Sequence, residues 1–143
     1  MKENHPKKYR FETVAVHGGY ENVEPTSRSR VVPLYQTSSF TFKDDKHAAD
    51  LFALNESGNI YTRIMNPTTA VLEQRITELE KGVASLVLSS GQGAETVALL
   101  SLVKNGDEIV SSSEIYGGTY TLLHYTLRNL GIKTTFENPH KRQ

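Results

Sequence analysis

Several residue types and patterns are missing from this 143-residue chain, and each absence excludes a class of protein. It contains no cysteine, which excludes disulfide bonds, thiolate nucleophiles and cysteine-ligated metal sites. Its 16 Lys and Arg residues balance 16 Asp and Glu residues, so it lacks the basic surface that nucleic acid attracts. No run approaches the ~20 consecutive apolar residues of a membrane span. We therefore expect neither nucleic acid nor a membrane as a partner.

The amino terminus carries no pattern typical of export. Residues 1–10 are polar and rich in lysine, and no apolar segment of signal-peptide length follows them. We therefore expect a cytoplasmic protein.

The character of the sequence changes near residue 65. Residues 1–65 carry turn and extended signals, with β-branched or aromatic runs at 13–16, 31–35 and 39–42 and a short predicted helix at 44–54. This part has no apolar periodicity of its own, so we interpret it as an arm that lies against the rest of the chain or a partner subunit.

Residues 66–143 alternate helical and strand patterns and form the second predicted segment. Asn66 is a favourable N-cap and Pro67 suits the first helical position. The helix that they begin has an apolar stripe of Leu72, Ile76 and Leu79 and ends near residues 81–82.

Three buried strands are predicted beyond that helix, separated by two further helices. The strands are at 83–89, 108–112 and 132–136. One helix covers 92–104, and the other begins at residues 117–118 and presents a stripe of Tyr120, Leu123, Leu127 and Leu130. Strands alternating with helices predict a parallel α/β sheet, although three strands make a narrow one.

A strand running through small residues into a helix is the strongest local signal, at residues 86–94 (LVLSSGQGA). Free N–H groups at a helix start and the positive end of its dipole bind phosphate, although Ser and Gly also suit an ordinary strand-to-helix turn. A dinucleotide fingerprint fails because its third glycine position is Thr96. The chain also has no Walker-A lysine here.

Two further clusters contain side chains suited to a phosphorylated ring. Tyr61 and Arg63 would share one side of an extended chain, where a phenol and a guanidinium suit a phosphate; a surface arginine beside a half-buried tyrosine is the alternative. Tyr116 ends a predicted strand before a helix, where α/β sheets bind ligands. Its ring could stack on a planar ligand, its hydroxyl could transfer protons, or it could simply pack in the core.

Other site types find little support. The five histidines are scattered without an i, i+4 pair, so we expect no metal site. The G-x-S-x-G motif of hydrolases is absent from the sequence.

Taken in order, these clusters resemble the Cys/Met-metabolism family of pyridoxal-phosphate enzymes. Five segments carry the resemblance, and they run through nearly the whole chain. They are residues 13–19 (TVAVHGG, like the opening strand of the family), 33–40 (PLYQTSSF), 61–68 (YTRIMNPT), 89–92 (SSGQ) and 116–120 (YGGTY).

The resemblance implies an α/β fold, the N-terminal part of an aspartate-aminotransferase-like (fold type I) large domain preceded by the arm. It implies that pyridoxal 5'-phosphate is the cofactor and that Ser90, Gly91 and Gln92 lie at its phosphate. Tyr116 would stack on its pyridine ring, as the catalytic residue within this chain. Tyr61 and Arg63 would bind the phosphate of a neighbouring subunit in a homo-oligomer.

Within the family, Gln92 and the sequence of residues 61–68 are most similar to the O-acetylhomoserine sulfhydrylase branch. The implied reaction is γ-replacement, in which acetate leaves O-acetylhomoserine and sulfide or methanethiol adds to give homocysteine or methionine. Methionine γ-lyase and the cystathionine γ-synthases and lyases are alternatives within the family, and a non-catalytic truncated paralogue is the alternative outside enzymes.

The lysine that binds the cofactor covalently in the family has no counterpart at a matching position. Lys81, Lys104, Lys133 and Lys141 all stand in other contexts. We therefore interpret the chain as an N-terminal portion and expect it to be inactive alone.

Overall fold

The computed structural model describes residues 9–21 and 23–141. The chain divides into two compact units, one ending at Val87 and the other beginning at Leu88. The expectation about export concerns mainly residues 1–8, which lie outside the described residues. The arm over residues 1–65 and the domain over 66–143 stay a prediction.

In the described residues of the first unit, the regular structure consists of three helices: α1 (Phe11–His17), α2 (Asp45–Phe52) and α3 (Pro67–Glu80). The predicted helix at 44–54 is confirmed as α2, where the side chain of Asp44 accepts a hydrogen bond from the His47 amide at 2.7 Å. Leu51 is the buried residue of this helix. The Asp44 N-cap therefore begins α2, and Leu51 packs it against the rest of the unit.

Helix α1 corrects the prediction of an extended run at residues 13–16. The carbonyl of Arg10 accepts hydrogen bonds from the amides of Thr13 and Val14, both at 3.0 Å, which begins a helical turn. The helix packs against α3. Strand propensity is a weak prior that such packing overrides, so the segment likened to an opening strand is a helix here.

Glycine is required where the chain leaves α1. Gly19 has φ +74°, and a Cβ there would lie 2.5 Å from the carbonyl oxygen of Val71 in α3. Arg75 Nε donates to the carbonyl oxygen of Gly18 at 2.8 Å. Residues 18–19 therefore lie directly on the backbone of α3.

The predicted start of α3 is confirmed. Asn66 is the N-cap, its side chain accepts from the Thr68 amide, and Pro67 is the first helical residue. The predicted stripe is not buried, however, because Leu72 and Ile76 remain 46% and 41% exposed. The residues that contact the chain around Gly19 lie on another side of the helix.

The runs at 31–35 and 39–42 are irregular apart from one antiparallel bridge between Ser39 and Tyr61. The Phe40 amide donates to the Ile60 carbonyl at 3.1 Å, and the Thr62 amide donates to the Ser38 carbonyl at 2.9 Å. This bridge brings the second and third family-like segments together.

Over residues 88–141, the second unit contains two parallel strands and the helices around them. Its elements are α4 (Gly91–Leu102), β1 (Glu108–Ser112), α5 (Gly117–Thr121), a π-helical turn (Leu122–Thr126), α6 (Leu127–Asn129) and β2 (Lys133–Glu137). Glu108 lies opposite Lys133, and Ser112 lies opposite Glu137. The predictions of α4 and of strands near 108–112 and 132–136 are confirmed.

The predicted strand at 83–89 is wrong for the described structure, where the sheet has two strands instead of three. A strand exists only when a neighbour pairs with its backbone. Here the Val87 amide donates to Glu73 Oε1 at 3.0 Å instead, and Val83 is fully exposed. The apolar run is real, but the described residues supply no strand to pair with it.

The core of the second unit lies between the helices and the strand pair. Leu122, Leu123, Leu127 and Ile132 are buried, with Leu99, Val103, Ile109, Ile115 and Phe136 packed partly around them. The stripe predicted for this region is correct only at Leu123 and Leu127, whereas Tyr120 and Leu130 are 37% and 48% exposed. The π-helical turn is wider than an α-helical one, which changes the face that the segment buries.

Among the helices of the described residues, none combines the length and apolar character that crossing a bilayer requires. The same residues contain no group of three or more His, Asp or Glu side chains placed to hold a metal ion.

Candidate active site

The first turn of α4 presents free donors next to open space. Ser90 is the N-cap, and its Oγ accepts a hydrogen bond from the Gly93 amide at 3.0 Å. Within the described parts of the chain, no acceptor is bonded to the amides of Gly91 and Gln92. Apart from its chain neighbours and the backbone of its own helix, a Cβ on Gly91 would meet no atom of the described residues within 4 Å. These features fit a phosphate group, because the helix start supplies both N–H donors and a positive potential.

The Tyr116 ring lies near this turn in the same unit. Tyr116 immediately precedes α5 and is 74% exposed. A Cβ on Gly118 would lie 2.6 Å from Tyr116 Cε1 and 3.3 Å from Gln92 Cδ. The absence of a side chain at Gly118 therefore lets the ring and the Gln92 side chain approach each other. This exposure excludes the alternative that Tyr116 packs in the core.

Sequence reasoning missed a carboxylate that joins these two elements. Oε2 of Glu95 accepts from Gln92 Nε2 at 3.1 Å and from Thr119 Oγ1 at 2.8 Å. The spacing of Gln92 and Glu95 on one helix was a readable signal. No sequence pattern indicated the hydrogen bond between Glu95 and Thr119, because the two residues are 24 positions apart.

Tyr61 and Arg63 lie together in the first unit. Both are exposed, and Arg63 Cζ is 5.5 Å from the centroid of the Tyr61 ring, within cation–π range. The backbone forms a turn here, with the Met65 amide donating to the Tyr61 carbonyl at 3.0 Å. The two side chains are neighbours as predicted, although the chain is not extended.

Asn66 anchors that turn. It is only 5% exposed, and its Nδ2 donates to the Tyr35 carbonyl at 2.9 Å and to Thr62 Oγ1 at 3.1 Å. Thr68 Oγ1 donates to the Pro33 carbonyl at 2.7 Å and accepts from the Tyr35 amide at 2.9 Å. Two of the family-like segments are therefore one hydrogen-bonded structure that holds the base of the Tyr61–Arg63 turn.

Comparison with known proteins gives a family and close relatives. The model of the Cys/Met metabolism PLP-dependent enzyme family matches residues 12–143. The O-acetyl-L-homoserine sulfhydrylase of Leptospira meyeri is 60% identical over 134 residues, which are 94% of this chain and 30% of that protein. O-acetyl-L-homoserine sulfhydrylase 1 of Thermus thermophilus is 52% identical over 133 residues, or 93% of this chain and 31% of that protein.

Solved structures of the same kind share the fold. A Campylobacter jejuni chain assigned as an O-acetylhomoserine (thiol)-lyase, which carries N'-pyridoxyl-lysine-5'-monophosphate, is 42% identical with TM-score 0.85. Cystathionine gamma-lyase of Lactobacillus plantarum, complexed with L-serine, is 30% identical with TM-score 0.77. The likeness covers 92% and 93% of this chain and 32% of each of those chains. The expected fold class, the N-terminal part of a fold type I domain, is confirmed.

Proposed function

The chain belongs to the Cys/Met-metabolism family of pyridoxal-phosphate-dependent enzymes, and we propose that it supplies the phosphate end of the cofactor site in an enzyme that acts on O-acetylhomoserine. Pyridoxal phosphate as the cofactor of this family is confirmed. The activity, substrates and partners of the whole protein belong to the proposal, because the chain spans about 30% of the length of its relatives.

The observation that carries the proposal is the first turn of α4. The amides of Gly91 and Gln92 would donate to the phosphate in the space that Gly91 leaves open. Ser90 caps the same turn, and its exposed position leaves its hydroxyl at the edge of that space. Charge-assisted bonds of this kind bind a dianion without a lysine.

Tyr116 would contact the pyridine ring. Its own ring is 74% exposed and lies beside Gln92, so it offers a free aromatic face close to the phosphate-binding turn. When bound, the cofactor acts as an electron sink for charge that develops on the substrate. The part of this chain is to hold the cofactor and orient its ring.

Tyr61 and Arg63 would serve a second copy of the chain in a homo-oligomer. Both side chains are exposed and form one cation–π pair. The guanidinium offers a planar pair of donors and the phenol adds a neutral donor. This geometry suits the outer side of a phosphate dianion.

The reaction we propose for the complete enzyme is γ-replacement. Acetate leaves O-acetylhomoserine, and sulfide or methanethiol adds to give homocysteine or methionine. The support is the 60% and 52% identity to proteins named as O-acetyl-L-homoserine sulfhydrylases. A γ-lyase of the same family is the alternative, since the fold also resembles a cystathionine gamma-lyase.

A chimera tests the reaction. The matching N-terminal segment of the Leptospira meyeri sulfhydrylase would be replaced by this chain, and the product assayed for homocysteine with O-acetylhomoserine and sulfide. We expect sulfide-dependent homocysteine formation. Release of 2-oxobutanoate without sulfide would instead favour the lyase, and the intact Leptospira enzyme is the matched control.

A further inference from the structure

Glu95 connects the two parts of the second unit that the proposed function uses. It lies in the second turn of α4 and is half-buried. Its Oε2 accepts hydrogen bonds from Gln92, in the first turn of α4, and from Thr119, in α5. No other side-chain hydrogen bond in the described residues joins α4 to α5.

The bond to Thr119 acts on Tyr116 through a short path. Thr119 lies three residues after Tyr116 in the same turn, and the Tyr120 amide donates to the Tyr116 carbonyl at 2.9 Å. The Tyr116 ring lies over Gly118, beside the Gln92 side chain. A hydrogen bond at Thr119 therefore ties the start of α5, which carries Tyr116, to the first two turns of α4.

The charge of Glu95 works against an anion in this position. A carboxylate near the start of a helix opposes the binding of a dianion nearby, because like charges repel. Its hydrogen bonds are strong for the same reason, since an ionised acceptor forms shorter and stronger bonds than a neutral one. The charge and the hydrogen bonds thus predict opposite effects on cofactor affinity, which makes them separable.

We propose that Glu95 is a positioning residue that holds the Tyr116 ring beside the phosphate-binding turn of α4, where it contacts the cofactor ring. This inference rests on the proposed function. Glu95 touches neither the phosphate nor the ring in this role, and it acts only through Thr119 and Gln92.

The test measures the affinity of the purified full chain for pyridoxal phosphate and for inorganic phosphate by calorimetry. The variants are Glu95→Ala, Glu95→Gln, Thr119→Val and the double variant Glu95→Ala with Thr119→Val. Glu108→Ala is the matched control, because it removes an exposed carboxylate of the same unit that is paired with Lys133. Circular dichroism checks that each variant is folded.

We expect Glu95→Ala to bind pyridoxal phosphate about tenfold more weakly, which is the effect of losing a hydrogen bond to a charged group. Inorganic phosphate has no ring for Tyr116 to contact, so its affinity should change less than about twofold or increase slightly. Glu95→Gln keeps an acceptor oxygen at the same place and should restore most of the affinity. The double variant should bind pyridoxal phosphate as weakly as Glu95→Ala does, because Glu95→Ala and Thr119→Val remove the same hydrogen bond.

Three results would overturn the inference. If Glu95→Ala and Thr119→Val bind pyridoxal phosphate as the unchanged chain does, Glu95 positions nothing. If inorganic phosphate is weakened equally, Glu95 supports only the helix start. If the unchanged chain does not bind pyridoxal phosphate, the proposed function fails and the inference with it. Thr119→Val carries the same prediction should Glu95→Ala not fold.

Discussion

The guanidinium of Arg63 lies over the Tyr61 ring, with Cζ 5.5 Å from the ring centroid. Both side chains extend from a turn whose base is fixed by the buried Asn66. The pairing keeps a permanent positive charge and a phenol side by side on the surface. Their arrangement therefore depends on contacts inside the first unit.

Arg63→Ala tests whether this pair binds the cofactor. Loss of a charge-assisted bond to phosphate should weaken binding of pyridoxal phosphate by about tenfold or more, measured by calorimetry. Arg63→Lys should recover part of the affinity, because it keeps the charge without the planar fork. Arg30→Ala removes an exposed arginine of the same unit and should have no effect. Equal binding by Arg63→Ala and the unchanged chain would refute the assignment.

Gly91→Ala should separate stability from binding. The new methyl meets no atom of the described residues within 4 Å beyond its chain neighbours and its own helix backbone. Alanine favours a helix over glycine by up to about 1 kcal/mol, so the melting temperature should stay the same or rise. The methyl would occupy the space proposed for phosphate and should weaken pyridoxal phosphate binding by about tenfold or more.

The control for that substitution is Gly82→Ala, where a Cβ would meet nothing closer than 3.9 Å. It should leave binding unchanged. A Gly91→Ala chain that binds as tightly as the control would show that the phosphate lies elsewhere.

Asn66→Ala should destabilise the first unit by about 2–3 kcal/mol. The substitution removes a helix N-cap, which costs about 1 kcal/mol, and leaves the Tyr35 carbonyl without its side-chain donor. Urea unfolding measures the loss. Asn129→Ala, at an exposed asparagine, is the control and should change the free energy of unfolding by less than about 0.5 kcal/mol. Equal stability of the two variants would contradict the anchoring role.

Glu24 should titrate far below an ordinary glutamate. Hydrogen bonds from the Ser27 hydroxyl, and from the amides of Ser27 and Thr26, lower the pKa of Glu24 from 4.5 to about 2. Because the folded pKa is the lower one, the stabilisation is complete above pH 4.5 and is lost as the pH falls through about 2.

Carbon-detected NMR of the side-chain carboxyl measures this directly. Ser27→Ala should move the pKa of Glu24 back toward 4.5, because the largest cause of the shift is the hydroxyl. A midpoint near 4.5 in the unchanged chain would be incompatible with the hydrogen-bonded turn.

The parts of the fold that sequence reasoning predicted correctly are those with local causes. Asn66 and Pro67 begin α3 with their own side chain and ring. Leu123 and Leu127 are buried where the spacing placed them. Such features depend on neighbours within a few residues, so a sequence pattern contains them.

The errors come from features that need distant partners. Residues 83–89 have the composition of a strand, but a strand requires a paired backbone. Residues 13–16 have β-branched side chains, yet packing on α3 makes them helical. The Glu95–Thr119 bond joins residues that are adjacent only after folding, and no local pattern predicts it.

The candidate site divides in the same way. The expectation of a phosphate site at Gly91 and Gln92 came from a local pattern of small residues leading into a helix, and it stays a prediction. For Tyr61, Arg63 and Tyr116 the residues suggested ligand binding beside an ordinary structural alternative, and the resemblance added the specific roles. The contacts around these residues could not be predicted from the sequence. They are Asn66 at the base of the Tyr61–Arg63 turn and Gly118 next to the Tyr116 ring.

Calorimetric titration of the purified chain with pyridoxal phosphate, pyridoxal and inorganic phosphate tests the central claim most directly. We predict saturable binding of pyridoxal phosphate, much weaker binding of pyridoxal, and competition by inorganic phosphate. Binding of pyridoxal as tight as that of pyridoxal phosphate, or no binding of either, would contradict the claim that the first turn of α4 holds the cofactor phosphate.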